Sequence, residues 1–283
     1  MNVPVSGVRY ELLAMVNKRL AKLQRYLETV GMVHDPVGKV DVDDISLSIA
    51  THEGGKYMNQ DAAALLIPKR SSNPIRWAAA IADGVSSSLY SDVASRLACI
   101  AALTAFAQLN RHSLGKCEPI ARAQSELLAI GQQLLSEPEK YRPPRMPRCG
   151  WQRVLRDGCL LQTTLMVVWQ QEHRLHINGV GDGGYLLRFD ANSPPVSHLP
   201  GAEKRVICLG PYASLERADF RLDYSTWYTV DVFTDGVTPV SNALSEYTDR
   251  SSSAEAFLTR LDRDYEALIN DNLTLFTASK AVP

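Results

Sequence analysis

Trp77-Ala78-Ala79-Ala80-Ile81-Ala82-Asp83-Gly84 runs six apolar residues straight into an acid and a glycine. An apolar run this short, closed by a turn dipeptide, reads as a strand. The acid at its end is mounted on rigid backbone, and the adjacent glycine lets a main-chain carbonyl approach a hard cation. The same pattern recurs at Gly181-Asp182-Gly183 after the strand-like run Arg174 to Val180, and at Thr234-Asp235-Gly236 after Trp227 to Phe233. It recurs in reverse at Asp271-Asn272, ahead of Leu273 to Thr277. One Asp-Gly pair is an ordinary turn. Four acids at strand ends predict a metal cage built from Asp83, Asp182, Asp235 and Asp271.

Outward from that stretch, Ile45 to Thr51 alternates like a half-buried strand, and Ala62 to Ile67, Leu160 to Trp169 and Tyr185 to Phe189 read as further strands. Two helices, Val93 to Leu109 and Pro119 to Leu135, stand in succession between them, the second opening with proline in its first turn. Many strands around one central helical pair predict a sheet sandwich covered by helices. Glu137 to Asp157 is rich in proline and arginine and reads as an irregular, solvated surface insertion. Its arginines would otherwise dock an acidic or phosphorylated partner.

Near the N-terminus, Leu13, Val16, Leu20, Leu23, Leu27 and Val30 recur at spacings of three and four, one stripe of a helix. Residues 1–40 are therefore read as a helical extension, and 41–283 as one domain. The stripe either packs on its own domain or meets a partner. Thirty basic and thirty-one acidic side chains leave a formal net charge of -1, so no bulk field favours nucleic acid or a membrane surface. The five cysteines are scattered without a CxxC pair, which fits a reduced, cytoplasmic setting. No stretch approaches the roughly 20 apolar residues of a spanning helix.

Six blocks stand in a telling order: Asn59-Gln60-Asp61-Ala62, Ala80-Ile81-Ala82-Asp83-Gly84, Thr163-Thr164-Leu165, Val180-Gly181-Asp182, Phe233-Thr234-Asp235-Gly236 and Asp271-Asn272-Leu273-Thr274. In this the chain resembles the protein phosphatase 2C-like (PPM) metal-dependent phosphatases, from about Ile45 to the C-terminus, with the N-terminal helix outside the resemblance. The resemblance implies an α+β fold, a four-layer α-β-β-α sandwich of two antiparallel sheets flanked by helices. It implies hydrolysis of phosphoserine and phosphothreonine in proteins by a metal-bridging water, with two Mn²⁺ or Mg²⁺ ions and a third, more labile position. On the same ground Asp83 would bridge both ions, Gly84 would offer its carbonyl, and Asp235 and Asp271 would complete the first ion's coordination. Asp61 would hold a metal-bound water, and Asp182, with Asp235, would mark the third position. Phosphoprotein substrates and a cognate serine/threonine kinase system are the implied partners.

The chemistry asks for such a set. Phosphate monoesters hydrolyse very slowly, so a catalyst must supply a nucleophile and neutralise the phosphoryl oxygens. Carboxylates, carbonyls and water favour Mg²⁺ or Mn²⁺ over zinc or copper. Clustered carboxylates without a cation repel, so an empty site is expected to be unstable or partly protonated.

Four departures bear on the site. Lys56 stands where the family has an arginine that forks onto substrate phosphate, and offers a point charge in its place. Val85 stands where many eukaryotic members have histidine, and cannot protonate a leaving alkoxide. Gly183-Gly184 replaces serine-arginine, which is expected to loosen local packing, and the flap before Asp235 looks shortened. A catalytically weak or inactive docking module is the alternative these departures keep open.

Overall fold

The computed structural model describes residues 7–34, 38–54, 58–69, 73–107, 109, 118–143, 146–157, 160–198, 209–210, 219–246 and 253–280. Its helices are α1 (Gly7–Val30), α2 (Ser91–Ala107), α3 (Pro119–Ser136), α4 (Arg148–Asp157), α5 (Ser241–Glu246) and α6 (Ala254–Asp264). Its strands are β1 (Gly31–His34), β2 (Gly38–Val42), β3 (Ile45–His52), β4 (Ala62–Pro68), β5 (Ile75–Ala82), β6 (Leu165–Gln171), β7 (Arg174–Val180), β8 (Gly184–Arg188), β9 (Val196–His198), β10 (Asp219–Tyr224), β11 (Thr229–Phe233) and β12 (Leu273–Lys280).

Strand parity explains the layers. In β4 and β5, Ala63, Leu65, Ile67, Trp77, Ala79 and Ile81 join a core between the two sheets, against Ile49, Val230, Val232 and Phe276. The alternate residues Ala62, Ala64, Leu66, Ala78, Ala80 and Ala82 face the helices. Ile75 breaks the alternation: it lies with the helix-facing set, although it is two residues from Trp77. The pairing with β6 shifts register between these two residues, and one slipped residue turns a side chain to the other face. Small side chains on the helix-facing side of β5 let α2 approach with its own alanines, Ala94, Ala98 and Ala101. Trp77 is fully buried without an orphaned donor, because its Nε1–H donates to Gln170 Oε1 at 3.0 Å.

One sheet has the order β1-β4-β5-β6-β7-β10 and the other β2-β3-β12-β11-β8-β9. Every pairing is antiparallel. Helices α1 to α4 contribute to the core on the first sheet's outer face, and α5 and α6 to the one on the second's. This is the four-layer sandwich.

Helix α1 buries Leu12, Val16, Leu23 and Leu27 in the core it shares with α2, whereas Leu13 and Leu20 are only partly covered. Arg19 Nε bonds Glu126 Oε2 at 2.7 Å, tying α1 to α3. The chain then runs directly into β1, which pairs with β4 through Met32 and Ile67, so residues 31–34 are part of the first sheet. Glu137 to Asp157 departs from the irregular insertion expected of it. It contains α4, whose Trp151 is completely buried and donates its Nε1–H to Pro138 O at 2.8 Å. Trp151, Val154 and Leu155 form an apolar face that the surrounding arginines mask in the sequence. Among the described residues no helix is long and apolar enough to cross a membrane.

Candidate metal centre

The registers bring the acid-bearing ends together. Ala62 pairs with Ala82, Leu165 with Val180, and Phe233 with both Gly184 and Leu275. Asp61 therefore precedes β4 where Asp83 leaves β5, Asp182 sits in the turn between β7 and β8, and Asp235 follows β11 where Asp271 leads into β12. All five stand at one end of the sandwich. Carboxylate oxygens of Asp83, Asp182 and Asp235 lie within 4.8 Å of one another. Asp271 is outside that group of three, but its charge acts on Asp61, Asp83 and Asp182.

The backbone of Asp83 is clamped. Its N–H donates to Thr164 Oγ1 at 3.1 Å, and its carbonyl accepts from Thr164 N–H at 2.9 Å and Thr163 Oγ1 at 2.7 Å. Asp61 is buried, and its Oδ2 accepts hydroxyl bonds from Thr234 and Thr274, each at 2.8 Å. Among the described residues its Oδ1 is buried with no hydrogen-bond partner, as is Asp182 Oδ1.

Burial is the main force that pushes the Asp61 carboxyl above the usual range, against hydrogen bonding from Asp83 and the two threonines. Burial also raises Asp83 well above it, reinforced by the charges of Asp61, Asp235 and Asp271. Asp182 is raised by burial and then by Asp271. These clustered carboxylates therefore repel one another, as their convergence requires. An all-oxygen donor set with orphaned buried carboxylate oxygens fits a hard divalent cation.

A family model described as protein phosphatase 2C matches residues 50–275. The chain belongs to the protein phosphatase 2C family. Among solved structures, this phosphatase is similar to serine/threonine phosphatase Stp1 from Staphylococcus aureus, at 15% identity and a TM-score of 0.58, covering 88% of this chain and 98% of that one. It is similar to PppA, described as a regulatory component of T6SS in Pseudomonas aeruginosa, at 14% identity and a TM-score of 0.57, covering 84% and 99%. RsbX in complex with magnesium is similar at 12% identity and a TM-score of 0.55, covering 88% and 100%. Identities this low establish the shared fold. No curated protein matches the chain.

Within this protein phosphatase 2C fold, Gly183 and Gly184 correct an expectation. Packing there is tight: a Cβ on Gly183 would meet Met166 Cγ at 2.6 Å, and one on Gly184 would meet the Phe233 ring at 2.5 Å. Glycine is what lets β8 close against β11 beside Asp182. Gly84 forms an isolated bridge with Thr163. Lys56 lies outside the described residues, as do residues 199–208 and 211–218 of the stretch between Asp182 and Asp235. Thr234 and Thr274, which hold Asp61, are quoted in the sequence reading only as parts of blocks. Their signal would have been two hydroxyl residues facing each other at the acid-bearing end of β11 and β12.

Proposed function

We propose that the carboxylate cluster is the active site of this metal-dependent protein serine/threonine phosphatase, with Asp83, Asp182, Asp235 and Asp271 as the residues that hold Mn²⁺ or Mg²⁺. One observation carries this reading: acids from separate strand ends converge within 4.8 Å, although burial and mutual repulsion oppose it. When bound, such ions supply positive charge for the phosphoryl oxygens and make water acidic enough to attack at neutral pH. Asp61, pinned through Oδ2 by two threonines, keeps Oδ1 as the acceptor available to orient a water at the cluster. The clamp of Thr163 and Thr164 fixes the backbone from which the Asp83 carboxylate projects beside its neighbours. Val85 follows Gly84 and has no proton to give, so the leaving alkoxide takes its proton from solvent. Lys56, by sequence, supplies the point charge for substrate phosphate, and Gly84 the carbonyl beside Asp83.

Hydrolysed phosphoserine and phosphothreonine must be made by a kinase acting on the same proteins, which is the partner system this reading requires. Free Cys99 and Cys149 support a reducing, cytoplasmic compartment. Hydrolysis of a phosphothreonine peptide tests the reading. Turnover should need Mn²⁺ or Mg²⁺, stop with chelator, and be lost in Asp83→Asn and Asp235→Asn. Activity that persists in both variants would overturn it.

A further inference from the structure

One buried amide ties together the segments that carry the acids. Asn272 is 1% exposed. Its Oδ1 accepts Gln60 N–H at 2.8 Å, and its Nδ2 donates to the carbonyls of Glu53 at 2.7 Å and Met58 at 3.1 Å. Both donors of the side chain are thereby used inside the protein. Its own backbone N–H donates to Asp271 Oδ1 at 2.8 Å. The Asn272 carbonyl lies so close to Gly236 that any Cβ at 236 would run into it. Asp61, Asp235 and Asp271 are each one peptide bond from a residue that touches Asn272 or from Asn272 itself.

We propose that Asn272 is a positioning residue, which sets the segments bearing Asp61, Asp235 and Asp271 in register before a cation arrives. The proposal rests on the reading of the carboxylate cluster as the active site. Three like-charged segments would drift apart if nothing else joined them. Asn272 is neutral and holds mostly peptide groups, so it draws the segments together while leaving the carboxylates of Asp61 and Asp235 untouched. Cation capture then does not have to order residues 53–54 and 58–61, and affinity gains from that preorganisation. Glu53 and Met58 are exposed, so without Asn272 their carbonyls can turn to water. Loss of the amide should loosen the site more than the fold.

The test uses the full chain with Asn272→Ala and the milder Asn272→Ser. The control is Asn178→Ala, which removes a buried amide in β7 that has no hydrogen-bond partner among the described residues. Mn²⁺ binding is read directly from the electron paramagnetic resonance signal of the free ion, alongside melting temperature and kcat and KM for a phosphothreonine peptide. Asn272→Ala should raise the Mn²⁺ dissociation constant by about tenfold or more, with kcat falling at saturating Mn²⁺ and Asn272→Ser in between. Asn178→Ala should leave Mn²⁺ affinity unchanged. A lower melting temperature in Asn272→Ala with unaltered Mn²⁺ affinity and kcat would reduce Asn272 to a structural residue and overturn the proposal.

Hydrogen exchange on the unaltered protein decides the matter even if both variants fail to fold. The Gln60 amide should be protected without Mn²⁺, and exchange there as fast as in an unfolded peptide would overturn preorganisation. If the unaltered protein neither binds Mn²⁺ nor hydrolyses the peptide, the active-site reading falls and takes this proposal with it. If it does both and Asn272→Ala matches it, only the role of Asn272 falls.

Discussion

Glu126 on α3 and Asp61 at the start of β4 are both buried acids, yet their surroundings have opposite sign. Glu126 receives Arg19 Nε at 2.7 Å on one oxygen and Arg122 Nη2 at 3.0 Å on the other. Arg122 is itself steadied through Nε by Thr104 Oγ1 at 3.0 Å. Asp61 has two threonine hydroxyls and the negative charge of its neighbours. Hydroxyls fix its direction without cancelling its charge. The chain thus supplies the counter-charge where the acid fastens α1 to α3, and on the proposed function leaves it to be supplied from outside at Asp61.

The largest effect expected from this contrast is at Asp83. Asp83→Asn should lower kcat for a phosphopeptide by at least about 10³-fold, roughly 4 kcal/mol of barrier. The same change should leave the melting temperature in chelator unchanged or raise it, because it removes a carboxyl whose ionisation burial and three acids oppose. Activity assays and thermal melts on one preparation would show both. A variant that loses activity only because it melts earlier would break the contrast.

Next in size is Leu27, fully buried on α1. Leu27→Ala should cost about 3 kcal/mol of unfolding free energy, from lost burial and the cavity left behind. Urea titration measures the loss, and Mn²⁺ affinity of the folded protein should not change. If residues 1–40 were a detachable extension, the cost would fall to the few tenths typical of a surface site.

Glu126→Gln sharpens the structural side. It keeps the shape but removes the charge that two arginines hold, and should cost about 1.5 kcal/mol. The arginine side chains are 39% and 43% exposed, so they recover much of their hydration once released, which keeps the loss small. Urea unfolding would read it, with kcat at saturating Mn²⁺ unaltered. A kcat loss larger than the loss of folded protein would show that the clamp reaches the active end.

These two sites differ in how far the sequence reveals them. Asp83, Asp182 and Asp235 are legible because an apolar run that stops at an acid marks a strand end without reference to the rest of the fold. The hydroxyls that hold Asp61 depend on β11 and β12 pairing Phe233 with Leu275, a register that local pattern does not fix. Glu126 is hidden for a related reason. With Arg122 it reads as an ordinary i,i+4 surface pair on a helix, and only the arrival of α1 across it makes it buried. In α1 itself the period and most of the phase are legible, with Val16, Leu23 and Leu27 in the core, but Leu12 rather than Leu13 is the buried residue of its first turns. Helix α4 is obscured by prolines ahead of it and arginines within it. The four residues of β1 are too short to show a period, and they gain their place by following α1 onto the edge of β4.

The smallest of these effects per unit change, and the one that joins both halves of the comparison, is the response to pH. Asp61, Asp83 and Asp182 have folded-state pKa values above their ordinary 3.8. Between that value and the raised ones the folded chain binds protons that the unfolded chain releases, so their contribution to stability is greatest at low pH and declines as pH rises. Cation binding must displace those protons, so the stabilisation by Mn²⁺ should run the opposite way, growing by about 1.4 kcal/mol per pH unit for each proton displaced. Thermal melts at about pH 6 and about pH 8, with Mn²⁺ and with chelator, measure both slopes. In chelator the protein should lose stability relative to Asp83→Asn as pH rises, and the Mn²⁺ shift should widen. A Mn²⁺ shift that is the same at both pH values would mean that the ion binds without taking the place of these protons, and the acids at the strand ends would not be its ligands.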